Sequence, residues 1–298
     1  MRVASSTLAR CVRQVLQGAS RTYPLLSGYG TLANSRLFQW AAREDALLVA
    51  RLRDGSSIYV HVNDYVGRAV FYFGDLDPKI SWLCRATLRP GDLVVDIGGN
   101  YGVVALQAAR LVGPDGRVHV FEPQLDLADL IRRSAALNGY GQIAVHAFGL
   151  SDRDAEMPLT IPAHNRGMAT FASSGAEGRR ISATLKLASA ALEGLGGGRP
   201  RLVKIDVEGH ESEVFAGAGD WISRAKPEVI VFEHNDPDRT VWQMPGIKSL
   251  LAEKYRFYGI PKAKVGVRLT RLAPGASTRR FHDLVAVHPT SDWVPRGT

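Results

Sequence analysis

The sequence predicts an α/β fold in which a mostly parallel sheet is flanked by helices on both faces. From Gly91 onward, short apolar runs alternate with segments of helical periodicity, which is the pattern of such a sheet. Turn signals such as GPDG separate the helices from the strands that follow. The chain has 298 residues, 45% hydrophobic and 22% charged, and this is enough material for a large buried core.

The core domain is predicted to extend over residues 91–289, with a short tail at 290–298. Its five central strands are predicted at LVVDIG, RVHVFEP, IAVHAFG, RLVKIDVEG and EVIVFEHN. Helices are predicted at YGVVALQAARLV, LDLADLIRRSAALNG, HESEVFAGA and IKSLLAEKYRFYG, and a closing pair of strands at KVGVRLTRL and FHDLVAVHP. The segment around 156–200 is rich in Gly, Ser and Ala, and we interpret it as an insertion over the sheet.

Residues 45–90 are predicted to form a smaller region packed on this core. The segments SSIYVHV and RAVFYF alternate like short strands, and PKISWLCRATLRPGD is predicted as a helix that ends at Pro90. The chain has two cysteines, Cys11 and Cys84, in no metal-ligand spacing. A disulfide framework and a cysteine zinc site are therefore disfavoured, which fits a reducing, cytoplasmic location. No run of eighteen apolar residues predicts a membrane span.

Residues 1–44 form a basic arm that has no acidic residue before Glu44. Leu8, Val12, Val15 and Ala19 recur at helical spacing within it. Four interpretations remain open: a disordered tail, a helix packed on the domain or on a partner, a helix on a membrane surface, and an organelle transit peptide. A signal peptide is disfavoured because no continuous apolar segment follows the arginines.

The glycine-rich loop after the first strand of the core domain is the most informative motif. The strand ends at Asp96, and the glycines of GGNYG do not have the G-x-G-x-x-G spacing of a nicotinamide-binding loop. A carboxylate at this place would repel a pyrophosphate and attract an ammonium group. S-adenosylmethionine carries an ammonium group, a sulfonium and no phosphate, and its carboxylate suits a helix N-terminus. The loop therefore predicts S-adenosylmethionine as the cofactor.

Two further segments fit this cofactor. Glu122 closes the second strand, where an acid typically accepts hydrogen bonds from both ribose hydroxyls. Ser151 and Asp152 follow the third strand, where the adenine edge would lie. Each has a plainer interpretation: Asp96 and Glu122 as helix caps, and Ser151-Asp152 as an ordinary turn.

Together these motifs resemble the FkbM-like family of S-adenosylmethionine-dependent methyltransferases. The matching segments are VVDIGGNYG, VFEP, FGLSD, LVKIDVEGHE and VIVFEHN, in the family's order. The resemblance implies a Rossmann-like fold of the class I methyltransferase type with an N-terminal extension, and methyl transfer mostly to oxygen on sugars, lipids, polyketides or related metabolites. It assigns to cofactor binding Asp96, Gly98, Asn100, Gly102 and Glu122, and to the working face Asp206, Glu208 and His210.

The sequence also departs from the family. The family often has T-L-D before the helix that leads into the fourth strand, whereas this chain has Thr184-Leu185-Lys186. The small-residue loop that the family has before this point matches only loosely, as HNRGMATF. Asn165, Arg166 and Met168 in that loop are interpreted either as part of a lid over the acceptor or as a hairpin tip.

Acidic residues and histidines follow the fourth and fifth strands. Asp206, Glu208 and His210 come after the fourth, and Glu233, His234, Asn235 and Asp236 after the fifth. Because neighbouring parallel strands end at one edge of the sheet, both groups are expected to face one cleft. Either a histidine oriented by a glutamate takes the hydroxyl proton of the acceptor, or the carboxylates hold Mg²⁺. The alternative without catalysis is that these residues cap helices and form ion pairs at the surface. No residue is assigned as a metal ligand.

The function predicted from the sequence is O-methylation of a hydroxyl on a sugar, a glycolipid or a secondary metabolite. A nucleic-acid methyltransferase is the first alternative; the net charge of +8 favours it weakly, and the absence of an N/D-P-P-aromatic motif after the fourth strand argues against it. A catalytically decayed nucleotide-binding or scaffold protein is the second. Peripheral membrane contact through the basic arm would suit a glycolipid acceptor. Trp221, Trp242 and Tyr258 are interpreted as core residues or as a stacking surface for a sugar.

Overall fold

The computed structural model of the protein describes residues 2–43, 46–171, 177–196, 198–234, 241–262 and 264–295. Its strands are β1 (Leu47–Arg51), β2 (Ser57–His61), β3 (Leu93–Ile97), β4 (Arg117–Phe121), β5 (Ile143–His146), β6 (Gly149–Ser151), β7 (Ala155–Ile161), β8 (Arg179–Leu187), β9 (Leu202–Ile205), β10 (Val229–Glu233), β11 (Arg256–Ile260), β12 (Thr270–Leu272) and β13 (Asp283–Val287). Its α-helices are α1 (Arg2–Arg21), α2 (Tyr29–Ala33), α3 (Arg36–Ala41), α4 (Tyr65–Phe73), α5 (Pro78–Thr87), α6 (Val103–Val112), α7 (Leu125–Asn138), α8 (Ala188–Glu193), α9 (Glu211–Ala225) and α10 (Ile247–Ala252).

An eight-stranded sheet lies at the centre of the fold, in the order β12-β11-β13-β10-β9-β3-β4-β5. The five strands from β10 to β5 are parallel, and β13 is inserted antiparallel between β10 and β11. The predicted α/β fold with a mostly parallel sheet is therefore confirmed. Strands β9 and β10 are neighbours, as predicted, so that their carboxyl ends meet at one edge of the sheet.

Alternate residues of the central strands pack into two different cores. Val95 and Val203 face the core covered by α8, α9 and α10, whereas Val94 and Leu202 face the core covered by α5 and α6. Because both faces are buried, these strands are continuously apolar in sequence instead of alternating. A third core joins α2, α4, β1 and β2 to α6 and α7, and it fixes the N-terminal region against the sheet.

Three predictions of secondary structure were wrong. RAVFYF lies in helix α4, because Asp64 caps the helix by accepting from the Gly67 N–H and Gly74 ends it in the left-handed region. The predicted helix IKSLLAEKYRFYG ends at Ala252, and its last part is strand β11. The closing strands β12 and β13 do not pair with each other, because β11 lies between them.

The insertion and the arm both have regular structure. Strands β7 and β8 of the insertion pair with β6, which precedes it, and the three form a separate sheet in the order β6-β8-β7. The arm begins with helix α1, in which Ala9 and Ser20 are buried and Gln17 donates to the carbonyl of Phe71 in α4. Of the four interpretations, the packed helix therefore describes α1. None of the helices in the described part of the chain is long and apolar enough to cross a membrane.

Candidate active site

A cavity of about 950 Å³ opens at the carboxyl ends of the parallel strands. This is the edge at which the loops of a doubly wound sheet bind ligands. The cavity brings together most of the residues that the sequence singled out, and it is also lined by parts of α4, α5 and β13. Of the predicted site residues, those that line it are Gly98, Asn100, Glu122, Asp206, Glu208, His210 and Glu233. Those outside its lining are Asp96, Gly102, Ser151, Asp152 and His234.

The glycine loop takes a backbone path that side chains would obstruct. Gly98 has φ +85°, and a Cβ there would lie 1.8 Å from the carbonyl oxygen of Asp206. Gly102 has φ +89° and packs against Ile131, so its role is to start helix α6 close to α7. Asn100 is also left-handed, with φ +52°. The loop can therefore bring backbone close to a ligand at the first glycine while the last one serves packing.

Glu122 is held in one orientation by the backbone. Its Oε2 accepts from the Asn100 N–H at 2.8 Å and its Oε1 from the Gln124 N–H at 2.8 Å. The residue is 3% exposed, and burial raises the pKa of this carboxyl to about 7. A carboxylate oxygen has further lone pairs, so this arrangement suits the acceptance of two hydroxyl hydrogen bonds from a ribose.

Asp96 does not reach the cavity, and a lysine that the sequence analysis passed over explains why. The Asp96 side chain is fully buried, and its Oδ1 lies 3.4 Å from Nζ of Lys204. Lys204 also lies 3.3 Å from Oδ2 of Asp206 and donates to the carbonyl of Gly98. The Asp96 carboxylate is therefore held in a buried ion pair beneath the loop, and its attraction of a ligand ammonium stays a prediction. A lysine inside the apolar strand LVKI was the available signal.

Asp206, Glu208 and Glu233 form an acidic cluster in the cavity. One carboxylate oxygen from each lies within 4.8 Å of the others, close enough for the three to hold a metal ion. Burial, together with the charges of Glu233 and Asp206, raises the pKa of Glu208 to about 8. Glu208 also has a left-handed backbone, with φ +53°, which directs the turn between β9 and α9. A carboxyl with such a pKa can take up a proton near neutral pH.

The histidine beside Glu233 immediately precedes β13 and does not follow the fifth predicted strand. Nδ1 of His282 lies 2.8 Å from Oε1 of Glu233, and this hydrogen bond raises the pKa of the imidazole. His234 directs its backbone N–H to the carbonyl of His282 and is outside the cavity lining. Asn235 and Asp236, which were expected to face the same cleft, lie outside the described residues. Sequence reasoning missed His282 because β13 is distant in the chain and enters the sheet antiparallel.

His210 lines the cavity but is engaged by other partners than those expected. Its Nε2 lies 2.9 Å from Oγ of Ser151, and its Nδ1 lies 3.7 Å from Glu213. Burial lowers the pKa of this histidine, so the neutral imidazole predominates. Neither Glu208 nor Glu233 orients it. Ser151 is buried outside the cavity lining, where it contacts His210, and its place beside the adenine edge stays a prediction.

A second group of carboxylates lines the cavity from α5 and β13. Asp77 caps helix α5, and Lys79 bridges it to Asp283, with Nζ distances of 3.3 and 2.5 Å. Asp75 lies beside them, and burial raises its pKa to about 6. No motif in the sequence marked these residues.

The predicted lid residues line the cavity beside the glycine loop. Asn165, Arg166 and Met168 all line it. The Arg166 N–H donates to Asp64, its guanidinium lies 2.5 Å from Asp126, and its carbonyl accepts from Gln124. This segment is therefore strapped across the glycine loop, and we call residues 164–171 the strap.

The other residues considered as acceptor contacts lie elsewhere. Trp221 and Tyr258 are buried in the two sheet cores, and Trp242 packs against one of them, which matches the core interpretation. Lys186, which replaces the family's acid, lies 3.3 Å from Asp154 on the exposed side of β8. It is outside the cavity lining.

Comparison with known proteins matches this chain to methyltransferases. Residues 96–257 match the family described as the methyltransferase FkbM domain. A 31-O-demethyl-FK506 methyltransferase FkbM of Streptomyces tacrolimicus is 38% identical over 80 residues, covering 26% of this chain and 29% of that protein. A protein-L-isoaspartate O-methyltransferase of Ignicoccus hospitalis is 38% identical over 60 residues, covering 20% and 28%. The chain thus aligns with less than a third of either relative.

Solved structures align with longer stretches of the chain at lower sequence identity. A methyltransferase FkbM of Methylobacillus flagellatus aligns over 92% of this chain and 58% of its own, with 14% identity and a TM-score of 0.41. A SAM-dependent O-methyltransferase of Thermotoga maritima aligns over 81% and 77%, with 16% identity and a TM-score of 0.41.

Proposed function

Because this chain belongs to the FkbM family of S-adenosylmethionine-dependent methyltransferases, we propose that it methylates a hydroxyl oxygen on a sugar, a glycolipid or a secondary metabolite. One observation carries the proposal. The oriented carboxylate of Glu122 and the high-pKa carboxyl of Glu208 line the same cavity. Such a cavity can hold a nucleoside at one end and accept a proton at the other.

The residues around the glycine loop fit the cofactor. Glu122 offers two oriented oxygens to ribose hydroxyls, and the backbone at Gly98 leaves no room for a side chain between it and Asp206. Pro123 and Leu150 supply apolar lining for an adenine ring. When bound, S-adenosylmethionine supplies an electrophilic methyl group on a sulfonium. The strap over Asn100 would exclude water from this end of the cavity.

Glu208 is the residue that we assign to the acceptor proton. When the acceptor oxygen attacked the methyl group that the cofactor would supply, the Glu208 carboxylate would take up the proton of the acceptor hydroxyl. A pKa of about 8 makes this carboxylate a stronger base than an ordinary glutamate. Asp206 and Glu233 border it and would accept hydrogen bonds from neighbouring hydroxyls of the acceptor. Mg²⁺ held by the same three carboxylates is the alternative way to lower the pKa of the hydroxyl.

The charge of the cavity supports a neutral acceptor over a nucleic acid. Its lining includes seven carboxylates, whereas its cationic side chains among the described residues are Lys204 and Arg166. The carboxylates are Asp75, Asp77, Glu122, Asp206, Glu208, Glu233 and Asp283. A phosphate close to this cluster would be repelled. This observation disfavours the nucleic-acid alternative in spite of the positive net charge.

The proposal is tested first by calorimetric titration with S-adenosylmethionine, S-adenosylhomocysteine and NADH. We expect micromolar binding of the two sulfur nucleotides and no binding of NADH. Hydroxylated acceptors are then screened with a labelled methyl group, with RNA and DNA as competing substrates. Folded protein that binds neither sulfur nucleotide would overturn the proposal and favour the decayed scaffold.

Variants separate the roles within the site. Glu208→Gln and Asp206→Ala should abolish transfer while leaving cofactor binding largely intact. The exposed Glu193→Gln is the matched control and should leave transfer unchanged. Loss of activity in a chelator, restored by Mg²⁺, would favour the metal mechanism over the Glu208 base. Unchanged turnover in Glu208→Gln without metal dependence would contradict both.

A further inference from the structure

The positive charge of this chain is concentrated in two segments that contain no acidic residue. Residues 1–43 and 254–282 together hold fourteen of the 37 Lys and Arg residues and none of the 29 Asp and Glu residues. The remainder of the chain therefore carries a formal net charge of −6. The chain is thus basic in these two segments and acidic, in net charge, outside them.

The two segments meet in the folded protein. The N–H of Leu26, in the stretch that follows α1, donates to the carbonyl of Lys264 at 2.9 Å. Lys264 belongs to the loop between β11 and β12. Ile260, the last residue of β11, pairs with Asp283, which lines the cavity. The loop therefore emerges at the cavity edge of the sheet, next to the arm.

Apolar side chains are exposed among these cations. Val265, between Lys264 and Arg268 in the loop, is 81% exposed. On α1, Val15 is 71% exposed and Leu8 58%. The two residues are seven positions apart, so they lie on the same face of the helix. We call the exposed residues Leu8, Arg10, Val15, Lys262, Lys264 and Val265 the docking surface. Exposed branched apolar residues framed by cations are the composition of helices and loops that insert into the interface of an anionic bilayer.

We propose that the docking surface binds anionic lipid bilayers and holds the cavity edge of the sheet next to the membrane. Basic charge supplies the attraction to lipid headgroups, and Val265, Val15 and Leu8 enter the boundary of the acyl chains. A nucleic acid would use the cations but gain nothing from these aliphatic side chains, since its recognition relies on phosphate contacts and on stacking with aromatic rings. The lipid surface is therefore the occupant that both observations favour.

The inference is tested by co-sedimentation of the full chain with vesicles, in the absence of cofactor and acceptor. Vesicles of phosphatidylcholine alone are compared with vesicles that contain about one third phosphatidylserine. Lys262→Glu with Lys264→Glu should lower partition onto the anionic vesicles by at least about fivefold. Val15→Gln with Val265→Gln should lower it by a similar factor. Lys248→Glu, an exposed lysine of α10 outside both segments, is the matched control and should change partition less than about twofold.

The outcomes separate the alternatives. Thermal midpoints within a few degrees of wild type verify that each variant is folded. Equal partition onto both kinds of vesicle, or equal losses in the control and in the loop variant, would overturn the inference. Binding to duplex RNA that competes with vesicles and ignores the valine substitutions would assign the surface to nucleic acid instead. Because the assay contains no cofactor, these results are independent of the proposed methyl transfer.

Discussion

The ammonium of Lys204 lies 3.4 Å from the carboxylate of Asp96, and both side chains are buried beneath the glycine loop. The two residues face each other on neighbouring parallel strands, since Asp96 of β3 pairs with Lys204 of β9. Burial opposes a charge on the lysine, but the carboxylates of Asp206 and Asp96 raise its pKa above the ordinary value. One cation therefore connects the buried carboxylate beneath the glycine loop with the acidic cluster.

Removal of this cation should destabilise the fold. Lys204→Met leaves Asp96 buried without a counter-charge, and loss of one partner of a buried pair typically costs about 3–5 kcal/mol. We expect the free energy of unfolding, measured by urea denaturation, to fall by that amount. In the double variant Asp96→Asn with Lys204→Met the buried charge is absent, so the loss should be smaller than in Lys204→Met alone. Equal losses in the two variants would show that the pairing contributes nothing.

Glu122 should control cofactor affinity. In Glu122→Gln one acceptor oxygen becomes an NH₂ group, which meets a backbone N–H of Asn100 or Gln124 that it cannot satisfy. We expect S-adenosylhomocysteine to bind about 10- to 100-fold more weakly, as for loss of roughly 2 kcal/mol of hydrogen bonding. Calorimetric titration measures this. Glu156→Gln, on the exposed face of β7, is the control and should bind the ligand like wild type.

The raised pKa of Glu208 should make stability depend on pH. Its folded-state pKa of about 8 exceeds its usual value of 4.5, so the folded protein holds a proton that the unfolded chain releases. This contribution to stability is complete below about pH 4.5 and is lost as the pH rises through about 8. Between pH 5 and pH 9, the free energy of unfolding of Glu208→Gln should therefore fall by roughly 1–3 kcal/mol less than that of wild type. If the free energy of unfolding changed with pH by the same amount in both proteins over that range, the assignment would be contradicted.

The two cavity histidines should titrate on opposite sides of the ordinary value. The hydrogen bond to Glu233 raises the pKa of His282, and burial lowers that of His210. Titration by NMR should therefore show His282 protonating above, and His210 below, the usual 6.5. Glu233→Gln removes the charged partner and should lower the pKa of His282 only. If the pKa values of both histidines shifted in that variant, His210 would also be coupled to Glu233, contrary to this prediction.

The strap should tolerate no side chain at Gly167. A Cβ at this position would lie 2.6 Å from Cγ2 of Val66 and 2.8 Å from Nδ2 of Asn100. Gly167→Ala should displace the strap from the glycine loop and weaken binding of S-adenosylhomocysteine by about tenfold. Gly141→Ala is the matched control, because nothing lies within 4 Å of a Cβ at that position. Equal affinity of the two variants would indicate that the strap does not bear on the cofactor end.

The sequence by itself determined the parts of this protein that depend on local pattern. Largely apolar runs predicted β3, β9 and β10, because strands buried on both faces have no regular polar alternation. The sequence predicted a strand in place of helix α4 because nearly all residues of the helix are buried, and periodicity cannot separate a buried helix from a strand. The positions of Glu122, Asp206, Glu208 and Glu233 followed from the rule that parallel strands end at one edge.

Only the tertiary structure decided which side chains share the cavity and in which state of charge. Asp96 is paired with Lys204 of the neighbouring strand, and Glu233 is paired with His282, which precedes an antiparallel strand from far along the chain. Asp75 and Asp77 reach the cavity because helix α5, which follows them, packs on one face of the sheet through Ile80 and Leu83. Contacts between strands distant in sequence, and the burial that shifts pKa values, arise only when the sheet closes. No local pattern of residues encodes them.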